Sequence, residues 1–197
     1  MNKGNKNKPG LLCVISSPSG GGKTTVIRAV RQQHPEYGYS ISATTRERRN
    51  RESHGVDYYF LTDREFDRYI EKGEFIEWAN VHSFRYGTLK KPVEKLLSAG
   101  KVVLLDLDVV GGINVRKTFP NQSLLIFLAP PSLEELQRRL QGRKSEGPAQ
   151  IQERLARIPF EMKYAEEYDV QIVNRYLKKT VKRVAEEIQK AIVKLEA

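Results

Sequence analysis

The most constraining feature of the sequence is a glycine-rich loop between a short apolar run and an amphipathic one. The apolar run is Leu11 to Ser16 and the amphipathic segment extends from Lys23 to about Gln33, which predicts a strand, a tight loop and a helix. Glycines in such a loop let backbone amides point at an anion, and the helix N-terminus adds partial positive charge. The sequence therefore predicts a phosphate-binding loop.

The loop follows the P-loop pattern with one departure. Ser17 stands where the first glycine is usual, and Gly22-Lys23-Thr24 completes the motif. Lys23 is predicted to reach the β- and γ-phosphates of a nucleotide, and Thr24 is predicted to hold Mg²⁺. An ordinary glycine loop before a helix is the alternative. The residues predicted to bind ATP are Ser17, Pro18, Ser19, Gly20, Gly21, Gly22, Lys23, Thr24 and Thr25.

Further apolar runs predict the rest of a parallel sheet. They are Lys101 to Asp106, Ser123 to Leu128 and Val170 to Val173, each separated from the last by helix-like sequence. This alternation is typical of an α/β fold with a doubly wound parallel β-sheet flanked by helices. Asp106 ends its strand as a Walker-B-type carboxylate should, so we expect it to orient Mg²⁺ with Thr24, directly or through water.

Capping signals locate several helices. Thr62 with Glu65 and Ser132 with Glu135 are capping boxes, which predict helices near 63–72 and 132–141. A C-terminal helix is predicted from about Leu177 to Leu195.

Two charged stretches, about 43–90 and 138–157, do not fit the alternation. We interpret them as insertions over one edge of the sheet. Within the first, we expect Tyr59, Phe60 and Trp78 to form the local core.

Composition limits the class of protein. A chain of 197 residues predicts one compact unit, and a formal charge of +10 indicates anionic partners without choosing among nucleic acid, membranes and nucleotides. The single cysteine, Cys13, excludes an internal disulfide and is predicted to be a buried thiol in a reducing compartment. No segment is apolar for the ~18 residues that a membrane span needs, so we expect a cytoplasmic protein without an export signal.

Several segments together resemble the guanylate kinase family of P-loop nucleoside monophosphate kinases. In chain order they are Ser42-Ala-Thr-Thr-Arg46-Glu-Arg-Arg49, Gly55-Val-Asp-Tyr58-Tyr-Phe, Phe75-Ile-Glu77-Trp78-Ala, Tyr86-Gly87-Thr88, Asp106-Leu-Asp108 with Gly111, and Arg139-Leu-x-x-Arg143 with Glu146 and Arg154. The resemblance covers roughly 11–195. It implies transfer of the γ-phosphate of ATP to GMP, and also to dGMP, with Mg²⁺ and without a strong general base.

The resemblance also implies a division of the chain and a set of site residues. The division is a basic flexible leader at 1–10, core segments at 11–42, 91–130 and 158–197, a mixed α/β GMP-binding insertion at 43–90, and a helical lid at 131–157. Catalytic roles fall to Lys23, Arg139, Arg143 and Arg154. The implied ligands of the GMP phosphate are Arg46, Arg49, Tyr58 and Tyr86, and those of guanine are Ser42, Glu77, Thr88 and Asp108.

Three other interpretations are open. A guanylate-kinase-like module that binds proteins typically lacks the phosphate loop and the lid arginines, which are present here. A P-loop kinase for another acceptor is disfavoured by Glu77 and Asp108. A nucleic-acid binder would fit the sequence pI of about 9.7, but no recognition motif supports it. We therefore expect GMP and ATP as partners, no nucleic acid or membrane partner, and a monomer or homodimer.

Overall fold

The structure is a computed structural model that describes residues 8–50, 52–81, 83–142 and 147–197. Most of the predicted leader at 1–10 and the predicted lid arginine Arg143 lie outside the described residues, as does Glu146. Among the residues described, no helix combines the length and the apolar composition needed to cross a membrane.

A parallel sheet forms the centre of the molecule and confirms the predicted α/β fold class. Its strands are β1 (Leu11–Ser16), β2 (Gly38–Tyr39), β7 (Val102–Asp106), β8 (Ser123–Ala129) and β9 (Val170–Val173). Their spatial order is β2-β7-β1-β8-β9, and every neighbouring pair is parallel. The short edge strand β2 was not predicted from the sequence.

Helices cover both faces of this sheet. In chain order, the α-helices of the described residues are α1 (Lys23–Gln33), α2 (Asp63–Glu71), α3 (Lys90–Ser98), α4 (Val109–Thr118), α5 (Leu133–Gln141), α6 (Pro148–Lys163) and α7 (Leu177–Glu196). Leu11, Cys13 and Ile15 on β1 pack with apolar residues of α1 and α7, while Leu12 and Val14 face the other way and pack with residues of α3 and α4. Burial on both faces explains why β1 is apolar without interruption.

The predicted capping signals are present at the helix starts. At α2, Thr62 accepts from the Glu65 amide and the Glu65 carboxylate accepts from the Thr62 amide, so this capping box is confirmed. At α5, Ser132 accepts from the amide of Glu135. The bounds of α1, α2, α5 and α7 agree with the predicted ranges to within a residue or so.

A second, four-stranded sheet lies within residues 42–89. Its strands are β3 (Ser42–Thr44), β4 (Tyr59–Phe60), β5 (Phe75–Val81) and β6 (Phe84–Leu89), in the spatial order β4-β3-β6-β5. Ala43, Phe66 and Leu89 form its core together with α2. Trp78 was expected in this core, but it is 41% exposed because its position on β5 faces outward. Its ring and that of Phe66 form a T-shaped pair with centroids 6.3 Å apart.

The helices α5 and α6 pack on each other beside the carboxyl ends of the parallel strands. Leu136, Leu140 and Ile158 form their shared apolar cluster. Helix α6 contains Pro159 in its interior, where proline removes one backbone hydrogen bond. Ligands of open α/β sheets bind at this edge, so the two helices and the smaller sheet flank the expected site. The division of the chain into core, insertion and lid stays a prediction.

Candidate active site

The phosphate loop has the backbone geometry of an anion cradle. Gly20 and Gly22 have φ values of +85° and +88°, which non-glycine residues rarely adopt, and the Gly21 amide donates to the Pro18 carbonyl at 2.9 Å. Ser17 stands where the first glycine is usual, and its side chain occupies the space beside Gly21. A Cβ at Gly21 would lie only 2.7 Å from the Ser17 Cβ. The absence of a side chain at Gly21 therefore accommodates Ser17.

Lys23 lies between the loop and the end of β7. Its Nζ contacts Asp106 Oδ1 at 2.8 Å and donates to the Leu107 carbonyl at 2.6 Å. The Thr24 hydroxyl donates to Asp106 Oδ2 at 3.4 Å. The structure thus brings together the lysine, the hydroxyl and the carboxylate that the motif predicted. The hydroxyl and carboxylate oxygens are hard donors of the kind that Mg²⁺ prefers, so this pair fits such an ion.

Arginines on α5 and α6 lie near the phosphate loop. Arg139 donates to Glu135 Oε1 at 2.9 Å and to the Asn174 carbonyl at 3.4 Å, while the Asn174 amide donates to the Gly21 carbonyl at 2.8 Å. Arg154 Nη1 donates to the Ser19 hydroxyl at 3.0 Å. Both predicted arginines that the structure describes therefore lie against the phosphate loop or its support.

Two residues at this end were not predicted. Glu161 accepts the Ser19 amide at 2.9 Å, and Arg157 lies 3.9 Å from the same carboxylate. Burial raises the pKa of Glu161, and the hydrogen bond from Ser19 and the charge of Arg157 oppose that rise. The only signal in the sequence was helical spacing: Arg154, Arg157 and Glu161 recur at intervals that share one helix face.

The other end of the cleft is built around Glu77 on β5. Glu77 is 8% exposed, and its Oε1 atom accepts a hydrogen bond from the Thr88 hydroxyl at 2.6 Å. Burial, reinforced by the charge of Asp108, raises the pKa of Glu77 to about 7. Gly111 leaves room here, because a Cβ at that position would lie 3.0 Å from Glu77 Oε2.

Strand register brings the other predicted guanine ligands to Glu77. Ser42 and Glu77 are both paired with Thr88, from the two strands that flank β6. Asp108 caps α4, and its Oδ1 accepts the Gly111 amide at 2.8 Å. Asp108 therefore has a structural contact in addition to its place in the cleft.

The residues predicted to hold the GMP phosphate are only partly gathered. The Arg46 guanidinium contacts Glu52 at 2.8 Å and lies 5.4 Å from the centre of the Tyr58 ring, which meets the Tyr86 ring at 6.0 Å. Burial raises the pKa of Tyr58 to about 12, so its hydroxyl stays protonated. Arg49 is exposed, and its backbone amide donates to Glu52. Glu52, which sequence reasoning missed, thus holds the arginine loop.

The two ends form one cleft. A cavity of about 390 Å³ at the phosphate loop and one of about 190 Å³ at Glu77 share Lys23, Tyr58, Tyr86, Asp106 and Asp108 among their lining residues. All of the residues predicted to bind ATP, Ser17 to Thr25, line the first cavity. The arrangement can hold two phosphate groups between a cationic loop and a buried carboxylate.

Comparison with known proteins gives consistent matches. A sequence model of the guanylate kinase family matches residues 10–191. The chain is 48% identical to the guanylate kinase of Chlorobium chlorochromatii over 184 residues, which is 93% of this chain and 95% of that protein. It is 47% identical to the guanylate kinase of Bacteroides thetaiotaomicron over 170 residues, covering 86% of this chain and 83% of that one.

Solved structures are also similar to this chain. The crystal structure of guanylate kinase from Anaplasma phagocytophilum is similar with a TM-score of 0.78 and 32% identity, and the match covers 93% of this chain and 86% of that chain. A gluconokinase from Sinorhizobium meliloti shares the fold at a TM-score of 0.52 and 15% identity, over 97% of this chain and 98% of that chain.

Proposed function

The chain belongs to the guanylate kinase family, and on that premise we propose that it transfers the γ-phosphate of ATP to GMP, giving ADP and GDP. These family matches confirm the resemblance that the sequence motifs indicated. The proposal extends to dGMP, because the residues assigned to the acceptor address its base and its phosphate.

The observation that carries the proposal is the continuous cleft with different chemistry at its two ends. One end is a glycine loop with Lys23, suited to the phosphates of ATP. The other end is a buried carboxylate, Glu77, with a hydroxyl donor beside it. The shared wall between them is where two phosphates would meet in line.

Guanine selectivity is assigned to Glu77 with Ser42, Thr88 and Asp108. A carboxylate accepts from the N1 and N2 hydrogens of guanine, which adenine lacks. With adenine in the site, the buried carboxylate would keep its contact with Thr88 but lack the donors that guanine supplies, and such mismatches discriminate by factors up to ~10⁴–10⁵.

The acceptor phosphate is assigned to Arg46 and Arg49 with the hydroxyls of Tyr58 and Tyr86. A guanidinium has five donors, so Arg46 can keep its contact with Glu52 while it binds a phosphate. Arg49 must turn toward the cleft from its exposed position for this role.

The donor phosphates are assigned to the loop amides and to Lys23. Lys23 would leave Asp106 and the Leu107 carbonyl to reach the β- and γ-phosphates. Thr24 and Asp106 would hold Mg²⁺, directly or through water, and the ion would neutralise phosphate charge there.

Transfer then depends on charge neutralisation and alignment. The acceptor oxygens of GMP are already anionic near neutral pH, so a strong general base has no task. We assign neutralisation of the transferring group to Lys23 and to Arg139, Arg143 and Arg154, of which Arg143 lies outside the described residues. A cytoplasmic location is part of the proposal, since the lone thiol at Cys13 suits a reducing compartment.

An assay of acceptor choice tests the proposal. ADP formation from ATP and Mg²⁺ is measured with GMP, dGMP, AMP, CMP or UMP as acceptor. We expect turnover with GMP and dGMP, and rates with the other nucleotides that are lower by ~10³ or more. Turnover with AMP at a comparable rate would contradict the assignment of Glu77.

Lys23→Ala is the control variant. Its turnover should fall by ~10² or more, because the cation at the transferring phosphate is lost. Its melting temperature shows whether the fold is kept. No turnover with any acceptor by the folded wild-type protein would contradict the proposed activity altogether.

A further inference from the structure

One face of helix α6 presents three charged residues to the phosphate end of the cleft. Arg154, Arg157 and Glu161 are spaced by three and four residues, and all three line the cavity that the phosphate loop forms. Arg157 and Glu161 have no part in the transfer described above. A role for them toward a nucleotide rests on the proposed function, since they line the same cleft.

Glu161 is an acidic group in a cavity that is to receive anions. Its residue is 7% exposed, and its Oε2 accepts the Ser19 amide of the phosphate loop at 2.9 Å. A buried carboxylate near nucleotide phosphates is unfavourable unless it has partners. The Ser19 amide is one such partner, and the Arg157 guanidinium is the other.

The contact between Arg157 and Glu161 is loose. At 3.9 Å the Nε to Oε1 distance exceeds a hydrogen bond, and the Arg157 side chain is 32% exposed. By contrast, Lys23 in the same cavity has contacts of 2.8 and 2.6 Å. A guanidinium held this loosely keeps donors for a second anion while the carboxylate limits its orientation.

Pro159 lies between the two residues. Proline lacks the amide that would bond to the carbonyl of Leu155, four residues earlier, so the helix is weakened in the turn from Leu155 to Pro159, which contains Arg157. Glu161 lies just beyond this weakened turn. The Ser19 contacts of Arg154 and Glu161 fix α6 on both sides of it.

From these contacts we infer that Arg157 is a further phosphate-binding residue for ATP, and that Glu161 is the positioning residue that holds the Ser19 amide and aims Arg157 into the cleft. Because Arg157 lines the cavity at the phosphate loop and not the one at Glu77, its contribution falls on ATP and ADP rather than on GMP.

The test compares Arg157→Ala, Arg157→Lys and a matched control. Arg183→Ala is the control, because Arg183 forms the same kind of pair with Glu187 four residues later, on the distant helix α7. We expect Arg157→Ala to raise the KM for ATP by about 10- to 100-fold, the range for a lost charged hydrogen bond, with the KM for GMP changed less than twofold. Arg157→Lys should recover part of the loss, and Arg183→Ala should behave as wild type.

A second pair of variants tests the positioning role of Glu161. Glu161→Gln keeps an acceptor for the Ser19 amide but removes the charge that orients Arg157, so a smaller rise in the KM for ATP is expected. In the Arg157→Ala background the same change should add little, because its target is already gone. Calorimetric binding of ADP with Mg²⁺ should weaken in parallel for the Arg157 and Glu161 variants, and this measurement does not depend on turnover.

The outcomes separate the two proposals. Unchanged ADP binding in folded Arg157→Ala, or equal increases in the KM values for ATP and GMP, would overturn the inference. Additive effects of the two changes would overturn the positioning role of Glu161. A wild-type protein that binds ADP but phosphorylates no GMP would contradict the proposed function instead, and ADP binding by the variants would still decide the role of Arg157.

Discussion

At the scale of single residues, Glu77 has the most unusual environment in the cleft. It is buried, it faces the charge of Asp108, and its pKa is about 7 rather than the ordinary value near 4.5. Lys23 and the hydrogen bond from Thr88 lower the pKa without cancelling the effect of burial. Its protonation state therefore changes within the physiological range of pH.

This pKa leads to a pH dependence of GMP binding. Guanine requires the ionised carboxylate as an acceptor, so below about pH 7 binding must first displace a proton from Glu77. The KM for GMP should rise as pH falls from 8 to 6, approaching about tenfold per pH unit at the acidic end. Initial rates at saturating ATP across this range measure the effect.

Glu77→Gln is the control for this prediction. The second ionisation of the GMP phosphate also contributes near pH 6, and it contributes equally in both proteins. Glutamine does not titrate, so the variant should bind GMP more weakly throughout and show only the phosphate contribution. Parallel pH profiles for the two proteins would refute the assignment of the titration to Glu77.

Residues inside motifs could be predicted from the sequence, while their supporting partners could not. Lys23 and Asp106 follow a pattern whose chemistry is readable, and the structure brings them within 2.8 Å. Glu161 reaches Ser19 across 142 positions of the chain, and helical spacing from Arg154 and Arg157 was its one local signal. Glu52 is equally ordinary in the sequence, although it holds Arg46.

At the scale of elements, the start of α4 is held by a close approach to Tyr168. The Tyr168 hydroxyl donates to the Val109 carbonyl and to the Ser16 hydroxyl, and so connects α4 to the end of β1. Gly112 makes this approach possible, because a Cβ there would lie 2.1 Å from the hydroxyl. The contact fixes the helix that Asp108 caps beside Glu77.

We therefore expect Gly112→Ala to destabilise the protein. The overlap with Tyr168 should lower the free energy of unfolding by roughly 1–3 kcal/mol, even though alanine favours helix. Urea denaturation measures this change. In the Tyr168→Phe background the hydroxyl is absent, so the same substitution should cost at least about 1 kcal/mol less. Equal costs in the two backgrounds would show that the close approach is not the cause.

Whole elements were predicted best where the local pattern is continuous. The bounds of β1 and α1 agree because an uninterrupted apolar run and clear helix periodicity define them. The strands of the smaller sheet were not assigned. Two of them, β3 and β4, have only three and two residues, and burial along β5 and β6 does not alternate regularly. Strand β5 also has a register shift between Phe75 and Glu77. Tertiary pairing, rather than local pattern, determines those strands.

At the scale of the whole molecule, Cys13 reports on global unfolding. It lies in the central strand with 0% exposure, and burial raises the pKa of its thiol well above the usual range. Only the thiolate reacts with disulfide reagents, so the folded protein should be inert to them. Labelling should require opening of the entire central sheet.

Ligands should slow this labelling. Binding to the folded state lowers the population of the open state by the factor 1 + [L]/Kd, so GMP at 100 times its Kd should slow the reaction about 100-fold when opening is in rapid equilibrium. The rate of thiol modification under mild urea measures it. Rapid labelling of the native protein, or a rate that GMP does not change, would show that β1 is exposed by local opening.

The excess positive charge is a property of the whole chain, and the sequence alone explains only part of it. Lysine and arginine number 34 against 24 acidic residues, which indicates anionic partners in general. The structure places Lys23, Arg154 and Arg157 in the lining of one cleft. Convergence from α1 and α6 is a matter of tertiary packing, so composition alone could not locate it.

The measurement that tests the central claim most directly tracks the transferred phosphate. ATP labelled in its γ-phosphate is incubated with GMP, Mg²⁺ and the protein, and the products are separated. Direct transfer predicts label in the β-phosphate of GDP, one GDP for each ADP, and little labelled inorganic phosphate. Label released mainly as inorganic phosphate, at a rate independent of GMP, would contradict the account.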